Sequence, residues 1–144
     1  MAGSVAIARV PRDINGVREA ELVITFTCVT DSSAGTLPDT ELQGLGGYIL
    51  TELQPIPGET PITGVPSIII DDANGAEVFD SDQIPVDYDQ PISGSSGSPA
   101  GHYPRMNDVM TMKWVNPVNH AASMNMGNSK QLTVVMRLEQ QGRR

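Results

Sequence analysis

Ala20-Glu21-Leu22-Val23-Ile24-Thr25-Phe26-Thr27-Cys28-Val29 puts Leu22, Ile24, Phe26 and Cys28 on one side of an extended chain. Glu21, Thr25 and Thr27, with Val23 and Val29, fall on the other. A period of two in β-branched and aromatic residues marks a strand with one buried face. Residues 131–138 repeat the pattern, with Leu132, Val134, Met136 and Leu138 opposite Thr133 and Arg137. Residues 108–115 do so again, placing Met110, Met112 and Trp114 opposite Thr111 and Lys113. Weaker strand candidates are 4–10, 47–53, 66–71, 76–80 and 84–88. No stretch carries a sustained apolar stripe at helical spacing between caps. The chain reads as all-β.

Turn residues agree. Asn74-Gly75 sits between Ser67-Ile-Ile-Ile-Asp71 and Glu77-Val-Phe79, and the dipeptide predicts a tight hairpin with φ > 0 at both positions. Pro55, Pro57, Pro61 and Pro66 make 54–66 an irregular connection rather than a central strand. Gly44-Leu-Gly46-Gly47 leads into a strand-like Tyr-Ile-Leu, so it reads as a turn or bulge and not as a phosphate-binding loop. Residues 91–104 and 116–129 are long loops, the first flexible in its Gly/Ser part. The expected architecture is a single all-β domain over 1–144: a β-sandwich or small barrel of about seven to eight short antiparallel strands with long loops and a short loose tail, 140–144.

With 144 residues, the chain is long enough to bury one core. Its 14 glycines and 11 prolines make it loop-rich without reaching low complexity. No apolar run approaches the length of a membrane span, and the first residues lack the pattern of a signal peptide. A single cysteine, Cys28, removes internal disulfides and multi-cysteine metal sites. A soluble chain made in a reducing compartment is expected.

The net charge of −8 is unevenly spread. Residues 19–100 hold 14 acids and no Lys or Arg, whereas both ends carry an excess of bases. An acidic middle of that size repels a phosphate backbone, so no specific nucleic-acid partner is expected. It is either a solvated surface that confers solubility or one half of a dipolar subunit whose basic edge docks on the acidic edge of a neighbour. Candidate subunit contacts on the second reading are Arg9, Arg12, Arg137 and Arg143, facing Asp71, Asp72 and Glu77.

Catalytic constellations fail one by one. His102 and His120 fall in expected loops without metal-ligand spacing. Cys28 lies on an apolar strand face, where a small buried hydrophobe is the expected role. Asp71-Asp72-Ala-Asn74-Gly75 lacks the glycine and glutamate positions of a calcium loop. No Gly-x-Ser-x-Gly occurs. Six methionines between Met106 and Met136 fill a core or line an adaptable contact surface. A non-enzymatic chain with no cofactor and no metal is expected.

Gly47-Tyr48-Ile49-Leu50, then Pro57-Gly58-Glu59-Thr60-Pro61, Ser67-Ile-Ile-Ile-Asp71 and Asn74-Gly75-Ala-Glu77-Val78-Phe79 follow one another in that order. Together with the closing Gln131-Leu-Thr-Val-Val-Met-Arg-Leu they resemble the small β-rich virion structural proteins of tailed bacteriophages, over about half of the chain. The resemblance implies a virion protein made in the host cytoplasm. It would be head-associated, as a capsid decoration or cement protein or a head–tail joining component. It implies partners that include copies of the same chain, as a homo-oligomer, and other virion proteins such as the major capsid protein. A tail tube, baseplate or fibre component is the alternative, and a carbohydrate- or cell-surface-binding module is the alternative of another class. His102, Tyr103 and Arg105 are the candidate surface-loop residues.

Overall fold

The computed structural model describes residues 3–83, 92–93, 105–119 and 122–140. Among them it is all-β, in two antiparallel sheets consistent with a β-sandwich. The strands are β1 (Ser4–Ile14), β2 (Val17–Val29), β3 (Thr40–Gln43), β4 (Tyr48–Pro57), β5 (Ser67–Asp72), β6 (Glu77–Gln83), β7 (Ile92–Ser93), β8 (Val109–Val115) and β9 (Gln131–Gln140). One sheet runs β1-β2-β9-β4-β7 and the other β3-β8-β5-β6.

The three clearest sequence alternations form the core as expected. Leu22, Ile24, Phe26 and Cys28 from β2, Leu132, Val134, Met136 and Leu138 from β9, and Met110, Met112 and Trp114 from β8 are all buried in one cluster. Burial of large apolar side chains from two facing sheets supplies the main stabilisation, at roughly 25 cal/mol per Å² removed from water. Met106 and Met126 are buried there too, and Met124 packs against the cluster. Five of the six methionines after residue 100 therefore fill the core, which overturns the reading of that run as a contact surface. Cys28 is buried, and desolvation pushes its thiol up to about 12, so it packs as a small hydrophobe.

Several expectations need correction. Two strands are long: β1 has 11 residues and β2 has 13. Strand β4 runs through Pro55 and Pro57, which pair with Val134 and Leu132, so 54–57 is no irregular connection. Past Glu52 and Leu53, the only β4 residues paired with β7, the outer side of β4 carries no strand among the described residues. A missing proline N–H on that side costs no ladder bond. Strand β4 looked weak because of a bulge between Leu50 and Glu52, which breaks the period of two so that Leu50 and Leu53 both turn inward. Strand β3 is new; four residues with one buried leucine are too short to read.

The turn at Asn74-Gly75 also differs from its expected form: Gly75 has φ +82 but Asn74 does not take positive φ. The Asp72 carboxylate accepts the N–H groups of Asn74 and Ala76, both at 2.9 Å, and holds a wider bulged hairpin. The tight two-residue turn lies elsewhere, at Asn15 (φ 51) and Gly16 (φ 80), between Ile14 and Val17. Ile92–Ser93, expected within a loop, forms β7, and Gln140, expected in a loose tail, is the last residue of β9. The rest of loop 91–104 up to residue 104, the 84–88 candidate and residues 141–144 lie outside the described residues.

Candidate interaction surface

Two edges of the sandwich carry charged side chains. The first is the β1–β2 hairpin. From Ile7 to Arg12, β1 pairs in register with β2, from Ile7↔Phe26 to Arg12↔Glu21. Side chains alternate across the strand, so Ile7, Arg9 and Pro11 lie on the core side, with Ala8, Val10 and Arg12 opposite. Every β1 residue from Ala6 to Ile14 is nevertheless exposed. The second sheet approaches this part of β1 at the end of β3, where Gln43 and Gly44 lie beside Arg9. From Ala6 to Ile14, β1 is an arm whose side chains stay exposed, with Ile7, Val10 and Ile14 presented to solvent and Val10 55% exposed.

The arm is fastened at its root. A register shift between Arg12 and Ile14 leaves Glu19 in the left-handed region at φ 51, with its N–H donated to Asp13 Oδ1 at 2.7 Å. Tyr48 Oη donates to the Glu19 carbonyl at 2.9 Å, and Gln140 Nε2 donates to the Arg18 carbonyl at 3.3 Å. Arg9 Nη1 donates to the Gln43 carbonyl, which places β1 above the β3 edge. Arg12 pairs with Glu21 at 3.3 Å. Arg9, Pro11, Glu19, Gly44, Tyr48 and Gln140 surround a cleft of about 400 Å³ beside this root.

The second edge is β6, the last strand of the other sheet, with Glu77, Asp80 and Asp82 in its sequence and no base. Asp71 and Asp72 precede it on β5. Lys113 Nζ lies 3.0 Å from Asp71 Oδ2; that hydrogen bond, reinforced by the carboxylate charge, raises the lysine above its ordinary pKa.

The sequence-derived contact residues thus divide. Arg9 and Arg12 lie on the arm, while Asp71, Asp72 and Glu77 lie at the β5–β6 hairpin. Because β1 sits above β3 and the sheet order is β3-β8-β5-β6, these two groups occupy opposite edges and do not meet within one chain. Arg137 stands apart from both: on central strand β9, its Nε donates to Glu52 Oε1 at 2.6 Å, and its charge is met inside the chain. Arg105 is exposed and bridges to Ile49. His102, Tyr103, His120 and Arg143 lie outside the described residues.

Sequence reading placed a weak strand at 4–10, which β1 contains, but missed the hairpin that joins it to β2. Its signal was Asn15-Gly16 flanked by Ile14 and Val17. Exposure on both sides had removed the alternation by which the flanking strand would be recognised. No protein-family model, curated protein or solved structure matches the chain.

Proposed function

We propose that this chain is a non-enzymatic structural subunit of a tailed-phage virion, head-associated as a decoration, cement or head–tail joining component, that acts through repeated subunit contacts. The observation that carries the contact role is the β1–β2 arm: an edge strand of 11 residues, fixed at its root and exposed from Ala6 to Ile14, with three exposed aliphatic side chains. Pro11, Arg12 and Asp13 blunt the far end of this edge, whereas Ser4–Val10 is free of proline and carries Arg9 as its one charge, and such an uncovered edge is a template for pairing with another chain. The virion setting is supported by the sequence resemblance through 47–79 and 131–138.

The test is composition analysis of tailed-phage particles purified from a lysate that contains the chain, followed by separation of heads from tails. The chain is expected in many copies in the head fraction. Recovery in tails alone would move it to a tail tube, baseplate or fibre role. Absence from purified particles would overturn the virion reading.

A further inference from the structure

We propose that β1 pairs antiparallel with β1 of a second copy of this chain, across a two-fold axis at Ile7, joining two sheets into one. The pairing rests on the reading of the chain as a contacting structural subunit and names the surface it uses. Strand β1 is the outer strand of its sheet among the described residues, and it is exposed from Ala6 to Ile14. The described residues that flank 84–91 and 94–104 lie on β6, on β7 and at Arg105 beside Ile49 of β4, away from β1. Hydrogen-bond parity fixes which main-chain groups of β1 point outward. Thr30 N–H donates to the Lys130 carbonyl at 2.8 Å, so the unbroken β2–β9 register turns even-numbered β2 residues toward β9 and odd-numbered ones toward β1. Through the β1–β2 register, Ser4, Ala6, Ala8 and Val10 bond to β2, and Val5, Ile7, Arg9 and Pro11 turn their main chain outward. The N–H that Pro11 lacks therefore falls on the outer side, where an edge strand tolerates proline.

With Ile7 opposite Ile7 of the second copy, the seven proline-free residues Ser4–Val10 pair entirely with themselves. Val5 then meets Arg9, so the outward N–H and carbonyl groups of Val5, Ile7 and Arg9 all find partners. Centring the axis on Ala8 sets Val5 against Pro11, which has no N–H to give, and centring it on Arg9 sets like charges opposite each other. On the alternate face Ser4 meets Val10 and Ala6 meets Ala8. The pairing covers Ile7 and Val10, the exposed aliphatic side chains of Ser4–Val10. Each Arg9 stays with the Gln43 carbonyl of its own chain, and the contact does not call on it. Charge favours this edge for a second copy over the rest of the surface. Residues 4–29 hold three bases and three acids, so the net charge of −8 belongs to the remainder, where two copies repel. The contact is isologous: it uses the same edge of both copies and closes at two.

The experiment combines light scattering with amide-resolved hydrogen exchange on the full chain. The expected mass is that of a dimer, and the N–H groups of Val5, Ile7 and Arg9 are expected to gain protection as concentration rises. Those of Ala6, Ala8 and Val10, already bonded to β2, should change little. Salt is expected to leave the dimer intact or strengthen it by screening the acidic remainder. Ile7→Lys and Ile7→Glu each set like charges opposite each other at the axis and are each expected to weaken dimerisation by about tenfold or more. An equimolar mixture of the two should recover it, because residue 7 then faces its opposite; recovery also shows that both variants are folded. A dimer without added protection at those three amides would overturn the pairing. So would dissociation by salt, or a mixture of folded variants that stays monomeric. A wild-type chain that is monomeric at every concentration yet present in purified particles would overturn the pairing and leave the structural-subunit role standing. A chain that dimerises with this protection yet is absent from particles would overturn the virion reading and leave the pairing.

Discussion

The two ends of the sandwich use the same backbone device for opposite purposes. At one end, the segments 30–36, 60–65 and 123–131 are laced together: Met126 N–H donates to the Gly35 carbonyl, Thr63 N–H to the Met126 carbonyl, and Gln131 N–H to the Thr60 carbonyl, each at 2.8 Å. Gly35 takes φ +68 there, and a Cβ on it would overlap the Asn125 side chain and lie 3.0 Å from the Gly127 backbone. At the other end, Gly16 takes φ +80 at the arm tip with nothing within 4 Å of a Cβ. Both glycines permit a left-handed backbone, but only Gly35 is also a packing requirement. One end stores stability in close contacts, and the other leaves its surface open.

The same substitution at both glycines separates the two roles. Gly35→Ala combines backbone strain with overpacking and is expected to cost about 3 kcal/mol. Gly16→Ala meets only the backbone term and is expected to cost about 1 kcal/mol. Urea unfolding of both variants measures the difference, and equal losses would remove the distinction between the ends.

Side-chain bonds give the next largest contrast. Thr30 is buried; its Oγ1 donates to the Gly127 carbonyl at 2.6 Å and accepts the Lys130 N–H at 2.7 Å. Thr30→Val keeps the shape and strands both partners, for an expected loss of about 2 kcal/mol. At the arm root, Tyr48→Phe removes the bond to the Glu19 carbonyl and should cost about 1 kcal/mol. Further out, Val10→Ser should change monomer stability by no more than about 0.5 kcal/mol, because the side chain is 55% exposed. A larger loss in thermal unfolding at low concentration would mean that the arm is packed after all.

This contrast also explains what was legible. Strands β2, β8 and β9 each bury one face against the opposite sheet, so burial wrote a period of two into Leu22 to Cys28, Met110 to Trp114 and Leu132 to Leu138. Strand β1 buries neither face beyond Val5 and carries no such record. The bulge in β4 moves the alternation by one residue at Thr51, whose Oγ1 donates to the Arg137 carbonyl at 3.1 Å. Of the candidate contacts, residue type and charge sign were readable. Whether a given arginine meets an acid of its own chain, as Arg137 meets Glu52, depends on strand order, which no local pattern encodes.

The smallest expected effect belongs to the laced end and is the one that moves with pH. Asp31 Oδ1 accepts the N–H groups of Ala34 and Ser33 and the Ser33 hydroxyl. These bonds, the Ala34 N–H foremost, lower its pKa from 3.8 to about 2. A carboxylate whose pKa is depressed by folding adds stability that is fully present above its unfolded value and disappears as pH falls through the folded one. The contribution of Asp31 is therefore present well above pH 3.8 and is lost toward pH 2. Asp31→Asn retains an acceptor oxygen but cannot ionise. Its unfolding midpoint should lie below that of the wild-type protein at neutral pH, and the two should converge as the pH approaches 2. A gap that stays constant across this range would mean that the turn is held by acceptor geometry alone, without a contribution from charge.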